Sequence, residues 1–214
     1  YYLKIPAHVV AVLLIAAGTS APELVVALQA ALNGAPQIVW GNIIGSNITN
    51  ILVVLSIIGL VFPVNTGDIA TTRDMILLLF ITILISLPAY YFNSLPLLLG
   101  FVLVFILTSY TIYLVSQHPD NNEMEKNSEK CLPLKRSLIY CFGGIAGLIF
   151  GADMMIRGAI ELAIGLSISK TVIGLTIIAF GTSLPEIAAA VASLIYRRVD
   201  MALGSIIGSN IFNI

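Results

Sequence analysis

"GTSAPE" (residues 18–23) lies inside the apolar run "AHVVAVLLIAAGTSAPELVVALQAAL" (7–32), and it returns as "GTSLPE" at 181–186. A glutamate directly after a proline is unfavourable in such a segment. A charged side chain at the centre of a bilayer costs at least about 2.5–3.5 kcal/mol on insertion scales. The chain accepts that cost twice, 163 residues apart and in nearly the same polar word.

Sliding the chain by 163 also lays "GNIIGSNITNI" (41–51) against "GSIIGSNIFNI" (204–214), with nine of eleven positions identical. The repeated unit therefore covers two consecutive apolar segments. Duplication alone would preserve apolar letters. Keeping Gly, Thr, Ser, Pro, Glu and Asn in hydrocarbon points to a use for them.

The composition sets the solvent. The 214 residues are 58% hydrophobic and only 10% charged, with a mean hydropathy of +1.02. Soluble domains carry about 25% charged residues, so the chain reads as an all-α polytopic membrane protein. The two cysteines, Cys131 and Cys141, make neither a disulfide framework nor a zinc site. The net charge of −1 names no partner.

A spanning helix needs about 20 predominantly apolar residues. Seven segments qualify: 8–32, 38–62, 74–92, 95–116, 137–158, 171–196 and 199–214. The one long hydrophilic stretch, "HPDNNEMEKNSEKCLPLKR" (118–136), reads as a solvated linker. The domain reading is a first membrane repeat over 1–116, a linker over 117–136 and a second membrane repeat over 137–214. Both repeats are read as truncated, the first at its start and the second at its end.

Alternating loops put Lys4, Arg73, Lys126, Lys130, Lys135, Arg136, Arg197 and Arg198 on one side and only Arg157 and Lys170 on the other. The positive-inside bias makes the linker side cytoplasmic. The protein is thus expected in the cell membrane, multi-pass. Five spanning segments separate equivalent helices, so the two copies run through the membrane in opposite directions. Inverted repeats of this kind belong to secondary transporters, with the substrate site near the midplane.

Glu23 stands about ten residues from the end of its segment, roughly 15 Å along a helix, or half of a hydrocarbon core of about 30 Å. Glu186 is equally far from Tyr196. Pro22 and Pro185 break their helices and are expected to free the carbonyls of Gly18 and Gly181. Thr19, Ser20, Thr182 and Ser183 add hydroxyl oxygens beside the breaks. Asn42, Ser46 and Asn50 share one helix face by their i, i+4 spacing, and Ser205, Ser209 and Asn213 repeat that stripe.

Gly41/Gly45 and Gly204/Gly208 allow close helix approach. Asn47 and Asn210 stand off the stripe, either toward the site or against a neighbouring helix. The donors are all oxygens, with no His, Cys or Met among them. Hard cations take such sets, and softer metals would call for imidazole or thiolate.

At these words the sequence resembles the cation/calcium exchanger superfamily, in its sodium/calcium exchanger branch of prokaryotic type. The matching stretches are "GTSAPEL" with "GNIIGSNITNI", and "VIGLTIIAFGTSLPEI" with "GSIIGSNIFNI"; "GADMMIRGAIELA" (151–163) resembles the sloping helix before a repeat. The resemblance implies a ten-helix fold and an antiporter moving Ca²⁺ against Na⁺ by alternating access. It implies Glu23 and Glu186 as Ca²⁺ carboxylates shared with Na⁺, completed by the carbonyls of Thr19 and Thr182. Ser20, Ser46, Ser183 and Ser209, with the carbonyls of Ala16 and Ala179, serve Na⁺, and Asn50 and Asn213 close the centre.

Many relatives carry Asp where this chain has Asn213, which leaves the site one titratable carboxylate short. "AVLLIAAGTS" stands where the family has a "GLT" word. Apart from the transported Ca²⁺ and Na⁺ and the lipid bilayer, no cofactor, nucleic acid or subunit partner is implied, and the protein reads as a monomer.

Three other functions compete. A H⁺/Ca²⁺ exchanger could use the same two glutamates, although both "GSNxxN" words favour Na⁺. A membrane hydrolase on Ser20 or Ser183 lacks a neighbouring His or Lys as base, so no enzyme is expected. A passive channel would not depend on counterflow. Asp153 and Arg157, at i, i+4, read as a structural ion pair, Trp40 and Tyr90–Tyr91 suit the interfacial belt, and His8, His118, Glu161 and Lys170 read as edge residues.

Overall fold

The computed structural model describes residues 7–34, 36–61, 69–92, 96–116, 133–167 and 179–214, all helices and short connections. Residues 117–132 of the linker, His118 among them, Lys170, the start of the 171–196 segment and the side chains of His8 and Ala179 lie outside what is described.

The first apolar segment is two helices. A turn at Ala7–Val10 and a wide π-helical stretch at Ala11–Ala16 lead to Thr19. After Ser20 a second helix runs over Ala21–Leu32, bent by 46° from Ala11–Thr19. We label these α1 (Ala7–Thr19) and α2 (Ala21–Leu32). Pro22 therefore sits in the first turn of α2 rather than in a helix interior, which corrects the expected kink. In a first turn the missing N–H costs no internal bond. The Gly18 carbonyl expected to be freed faces the Ser20 N–H at the end of α1.

α3 (Pro36–Thr49) continues through a second π-helical stretch, Asn50–Leu55, into Ser56–Val61. α4 is Ile69–Phe92 and α5 is Leu97–Ser116. α4 starts before Arg73, which was expected in a loop. α6 (Leu134–Gly165) is 32 residues long and overruns the expected 137–158. The second copy follows as α7 (Ala179–Thr182), α8 (Leu184–Ile195) and α9 (Val199–Asn213).

Among the described residues, three helices are long and apolar enough to cross a membrane, namely Val39–Val61, Thr71–Tyr91 and Leu97–Ser116. The bent pair α1–α2 makes a fourth if it is one span. The described residues thus stop short of the seven expected. α9 has 15 residues and the segment holding α8 is only partly described.

α9 is the centre of the molecule. Ile207 and Ile211 pack with Val9 and Val12 of α1, Ile81 of α4 and Tyr110 and Leu114 of α5. Ala202 and Ile206, toward its start, pack with Val54 and Ile58 beyond α3 and with Ala190 and Leu194 of α8. Gly208 lets α1 approach, because a Cβ there would stand 2.9 Å from the Ala16 Cβ and 3.1 Å from the Val12 Cα. The faces turned outward are apolar too, among them Leu79, Phe80, Leu98, Phe101 and Phe105. A helix apolar all round is a core or a membrane helix.

The copies share backbone detail as well as letters. Ser20 breaks its helix at φ −80°, ψ 2°, and Ser183 does so at φ −83°, ψ 1°. Both following helices have 12 residues with proline in the first turn. They end at Asn33 (φ −89°, ψ 7°) and Tyr196 (φ −86°, ψ 11°). The next residues, Gly34 and Arg197, are both left-handed, at φ 67° and 53°.

Candidate functional site

The two breaks meet at α3 and α9. Glu23 lies in the first turn of α2 and Glu186 in the first turn of α8. Negative charge is favoured at helix N-termini, where free N–H groups and the dipole converge. Both side chains are almost wholly enclosed, at 3% and 2% exposure, and the polar shell of Thr19, Ser20, Ser46, Asn50, Thr182, Ser183 and Ser209 is buried with them.

The contacts across the shell obey a two-fold exchange. The hydroxyls of Thr19 and Ser209 lie 3.2 Å apart, and so do those of Thr182 and Ser46. Residue 19 corresponds to 182 and 46 to 209, so each break meets the polar helix of the other copy. Ser20 Oγ donates to Glu186 Oε1 (3.3 Å) and approaches the Ser209 carbonyl at 3.5 Å. Thr182 Oγ1 donates to Asn42 Oδ1 at 3.4 Å, and Asn42 Nδ2 donates to the Glu23 carbonyl at 3.0 Å. The Ala16 carbonyl at the end of the first π stretch accepts from Thr19 Oγ1 (3.3 Å) and from the Ser20 N–H (2.9 Å).

A buried carboxylate normally has a cation or several donors beside it. Here both oxygens of Glu23, and Oε2 of Glu186, are buried without a hydrogen-bond partner among the described residues. Three described arginines pair elsewhere, Arg73 with Asp74, Arg157 with Asp153 and Arg198 with Asp200. Among the described residues no three His, Cys, Asp or Glu side chains cluster as they would for a transition metal. The arrangement is two carboxylates inside a shell of hydroxyl, amide and main-chain oxygen. Its chemistry suits a hard cation.

Direct contacts join Thr19, Ser20, Ser46, Thr182, Glu186 and Ser209, and Asn50 reaches Asn210; Ser183 is buried beside its helix break. For Ala179 only the main chain is described. The Asn42–Ser46–Asn50 stripe faces the opposite copy, as its spacing predicts. Ser205 instead donates to the Ala202 carbonyl of its own helix at 3.0 Å. Asn47 and Asn210, left open by the sequence, both join cross-copy bonds.

Two features carried no sequence signal that was read. One is the pair of π-helical stretches, which frequently mark functional sites. The other is Asp74, fully enclosed and 2.7 Å from Arg73, whose guanidinium stacks on Tyr113 at 5.0 Å. Its neighbour in sequence was the available clue.

The sequence matches the family described as sodium/calcium exchanger protein over residues 1–116 and 136–214. It is 33% identical to the membrane protein MJ0091 of Methanocaldococcus jannaschii, covering 100% of this chain and 69% of the relative. It is 27% identical to the sodium/calcium exchanger MaX1 of Methanosarcina acetivorans, covering 99% and 72%. The fold matches the sodium-calcium exchanger NCX_Mj, in a structure soaked with 2.5 mM Na⁺ and 0.1 mM Ca²⁺. That match has a TM-score of 0.84 at 30% identity and covers 99% of this chain and 68% of that one. MaX1 and NCX_Mj are sodium/calcium exchangers by name, and with the family match over most of its length this chain belongs to the sodium/calcium exchanger family.

Proposed function

We propose that this protein is a secondary antiporter that exchanges Ca²⁺ for Na⁺ at the oxygen-lined site between the two helix breaks. The observation that carries the reading is the pair of enclosed carboxylates, three of whose four oxygens have no hydrogen-bond donor among the described residues. Two negative charges in a dry protein interior are tolerable only when a cation offsets them.

Ca²⁺ takes six to eight oxygens. Glu23 and Glu186 would supply the charge and the Thr19 and Thr182 carbonyls the next ligands. Ser20, Ser46, Ser183 and Ser209, with the Ala16 and Ala179 carbonyls, would hold Na⁺ on either side. Asn50 and Asn213 would complete the centre with amide oxygen. Because the carboxylates cannot both stay charged and bare, Ca²⁺, Na⁺ or protons must neutralise them during the crossing, and in this reading the ions are Ca²⁺ and Na⁺. That requirement enforces exchange over leak.

The same reading takes the copies as an inverted repeat within a ten-helix protein, with seven spans in this chain. The site then lies near the midplane and the linker on the cytoplasmic side. The two-fold swap of the Thr19–Ser209 and Thr182–Ser46 pairs supports a symmetric core.

The test is uptake of radiolabelled Ca²⁺ into proteoliposomes loaded with Na⁺, with K⁺, or bearing a proton gradient. Uptake from Na⁺-loaded vesicles alone, lost in Glu23→Gln and Glu186→Gln, is the expected result. Uptake driven by protons and indifferent to Na⁺ would sink it.

A further inference from the structure

Asn47 and Asn210 correspond between the copies, and the exchange reading gives neither a role. Asn210 is fully enclosed on α9. It accepts at Oδ1 from Asn50 Nδ2 at 2.9 Å, across the gap between the copies. With the copies exchanged the bond recurs, as Asn213 Nδ2 donates to Asn47 Oδ1 at 3.4 Å. Each central asparagine therefore commits its donor end to the opposite copy. The acceptor ends, Oδ1 of Asn50 and Oδ1 of Asn213, are buried with no donor among the described residues.

An asparagine amide carries its donors and its acceptor on one planar group, so fixing the NH₂ fixes the oxygen. The distinction matters beside a cation. An amide oxygen attracts the ion, whereas the same group turned by half a revolution presents N–H and repels it. An aspartate needs no such restraint because both of its ends accept. With Asn at both 50 and 213, orientation has to be imposed from outside the site.

We infer that Asn210 and Asn47 are positioning residues, each holding the opposite copy's central asparagine so that its oxygen faces the transported ion. Asn210 holds the shorter bond, while Asn47 is itself held by donating from Nδ2 to the Asn210 carbonyl at 3.5 Å and Asn210 Nδ2 has no partner among the described residues. This role rests on the exchange reading above. Partners that orient a metal ligand typically matter at the level of about 10–100-fold in affinity.

The experiment is a Ca²⁺ titration of thermal stability on the purified protein in detergent, for wild type, Asn210→Ala, Asn47→Ala, Asn50→Ala and the double variant of 50 and 210. The Ca²⁺ concentration giving half the stabilisation should rise roughly 10–100-fold in Asn210→Ala and less in Asn47→Ala. The double variant should be no worse than Asn50→Ala, because Asn210 acts through Asn50. Additive losses, or an Asn210→Ala titration matching wild type, would overturn the role.

Asn210→Asp keeps an acceptor at the same reach and should bind Ca²⁺ at least as well as wild type. A loss as large as that of alanine would overturn the role even if Asn210→Ala does not fold. Wild-type protein that shows no Ca²⁺ response would overturn the exchange reading itself, and this role with it.

Discussion

The hydroxyl of Thr19 lies 3.2 Å from that of Ser209, in the other copy and 190 residues away. Its counterpart, Thr182 with Ser46, has the same separation. The site is thus stitched across the two copies at equivalent points. Ser46→Ala and Ser209→Ala should each cost about 0.5–1.5 kcal/mol of stability, the usual net value of one hydrogen bond. Their effects on Na⁺-driven Ca²⁺ uptake should be alike, since each removes the same hydroxyl from an equivalent place. Uptake that ignores one substitution and is abolished by the other would contradict a two-fold functional site.

Close packing of α1 on α9 gives a second prediction. A Cβ at Gly208 would meet backbone and Cβ atoms of Val12 and Ala16 that have no room to retreat. At Gly18 the nearest atom, 2.7 Å away, is Cδ1 of Ile145, the far end of a flexible side chain. Gly208→Ala should therefore destabilise by about 1–3 kcal/mol, the range for an overpacked core. Gly18→Ala should cost less, and melting curves of the two variants in detergent would rank them.

How much of this was legible in the letters depends on what each feature rests on. The repeat, the buried glutamates and the polar stripe follow from residue identity and spacing. Asn42, Ser46 and Asn50 share a face on any α-helix, whereas Pro22 and Pro185, read as breaks within a helix, stand in the first turns of α2 and α8. The π-helical stretches at Ala11–Ala16 and Asn50–Leu55 were not legible. Their letters, "AVLLIA" and "NILVVL", are ordinary helix letters, and the widening depends on what packs against them. Asp74 was missed because basic Arg73 beside it read as a membrane edge, whereas the pair lies inside α4, neutralised locally. The bonding of Asn47 and Asn210 needed the register of α3 against α9, which no single segment contains.

The repeated helix ends make a third prediction. Gly34 and Arg197 occupy the same left-handed position after α2 and α8, at φ 67° and 53°. Glycine takes that conformation freely, and a side chain there costs roughly 1–2 kcal/mol. Arg197→Gly should raise the melting temperature, whereas Gly34→Arg should lower it. Opposite signs are the signature; a fall in both would show that the Arg197 side chain contributes more than its backbone strain costs.

Ion pairs in two settings should separate cleanly. Asp74 is fully enclosed and its partner Arg73 is 30% exposed, while Asp153 and Arg157 are both largely open. Removing one member of a buried pair leaves an uncompensated charge at a cost of about 3–5 kcal/mol; an exposed pair is worth about 0–1 kcal/mol. Arg73→Met should therefore destabilise far more than Arg157→Met, and Arg73→Met with Asp74→Asn should recover part of the loss. Equal melting temperatures for the two single variants would refute the assignment of Asp74 as a buried charge.

The glutamates themselves give the last prediction, which separates charge from fold. Gln has nearly the shape of Glu, and its NH₂ can find acceptors in a shell made of hydroxyl and carbonyl oxygen. Glu23→Gln and Glu186→Gln should therefore fold, with melting temperatures in ion-free buffer equal to or above that of the unsubstituted protein. In return they should lose stabilisation by added Ca²⁺. Ligand binding raises stability by about 2.7 kcal/mol at a hundred times its Kd, so the missing increment is easily measured. Variants that unfold outright would mean that the carboxylates hold the helix breaks together. Variants that keep a full Ca²⁺ response would move the ion site elsewhere.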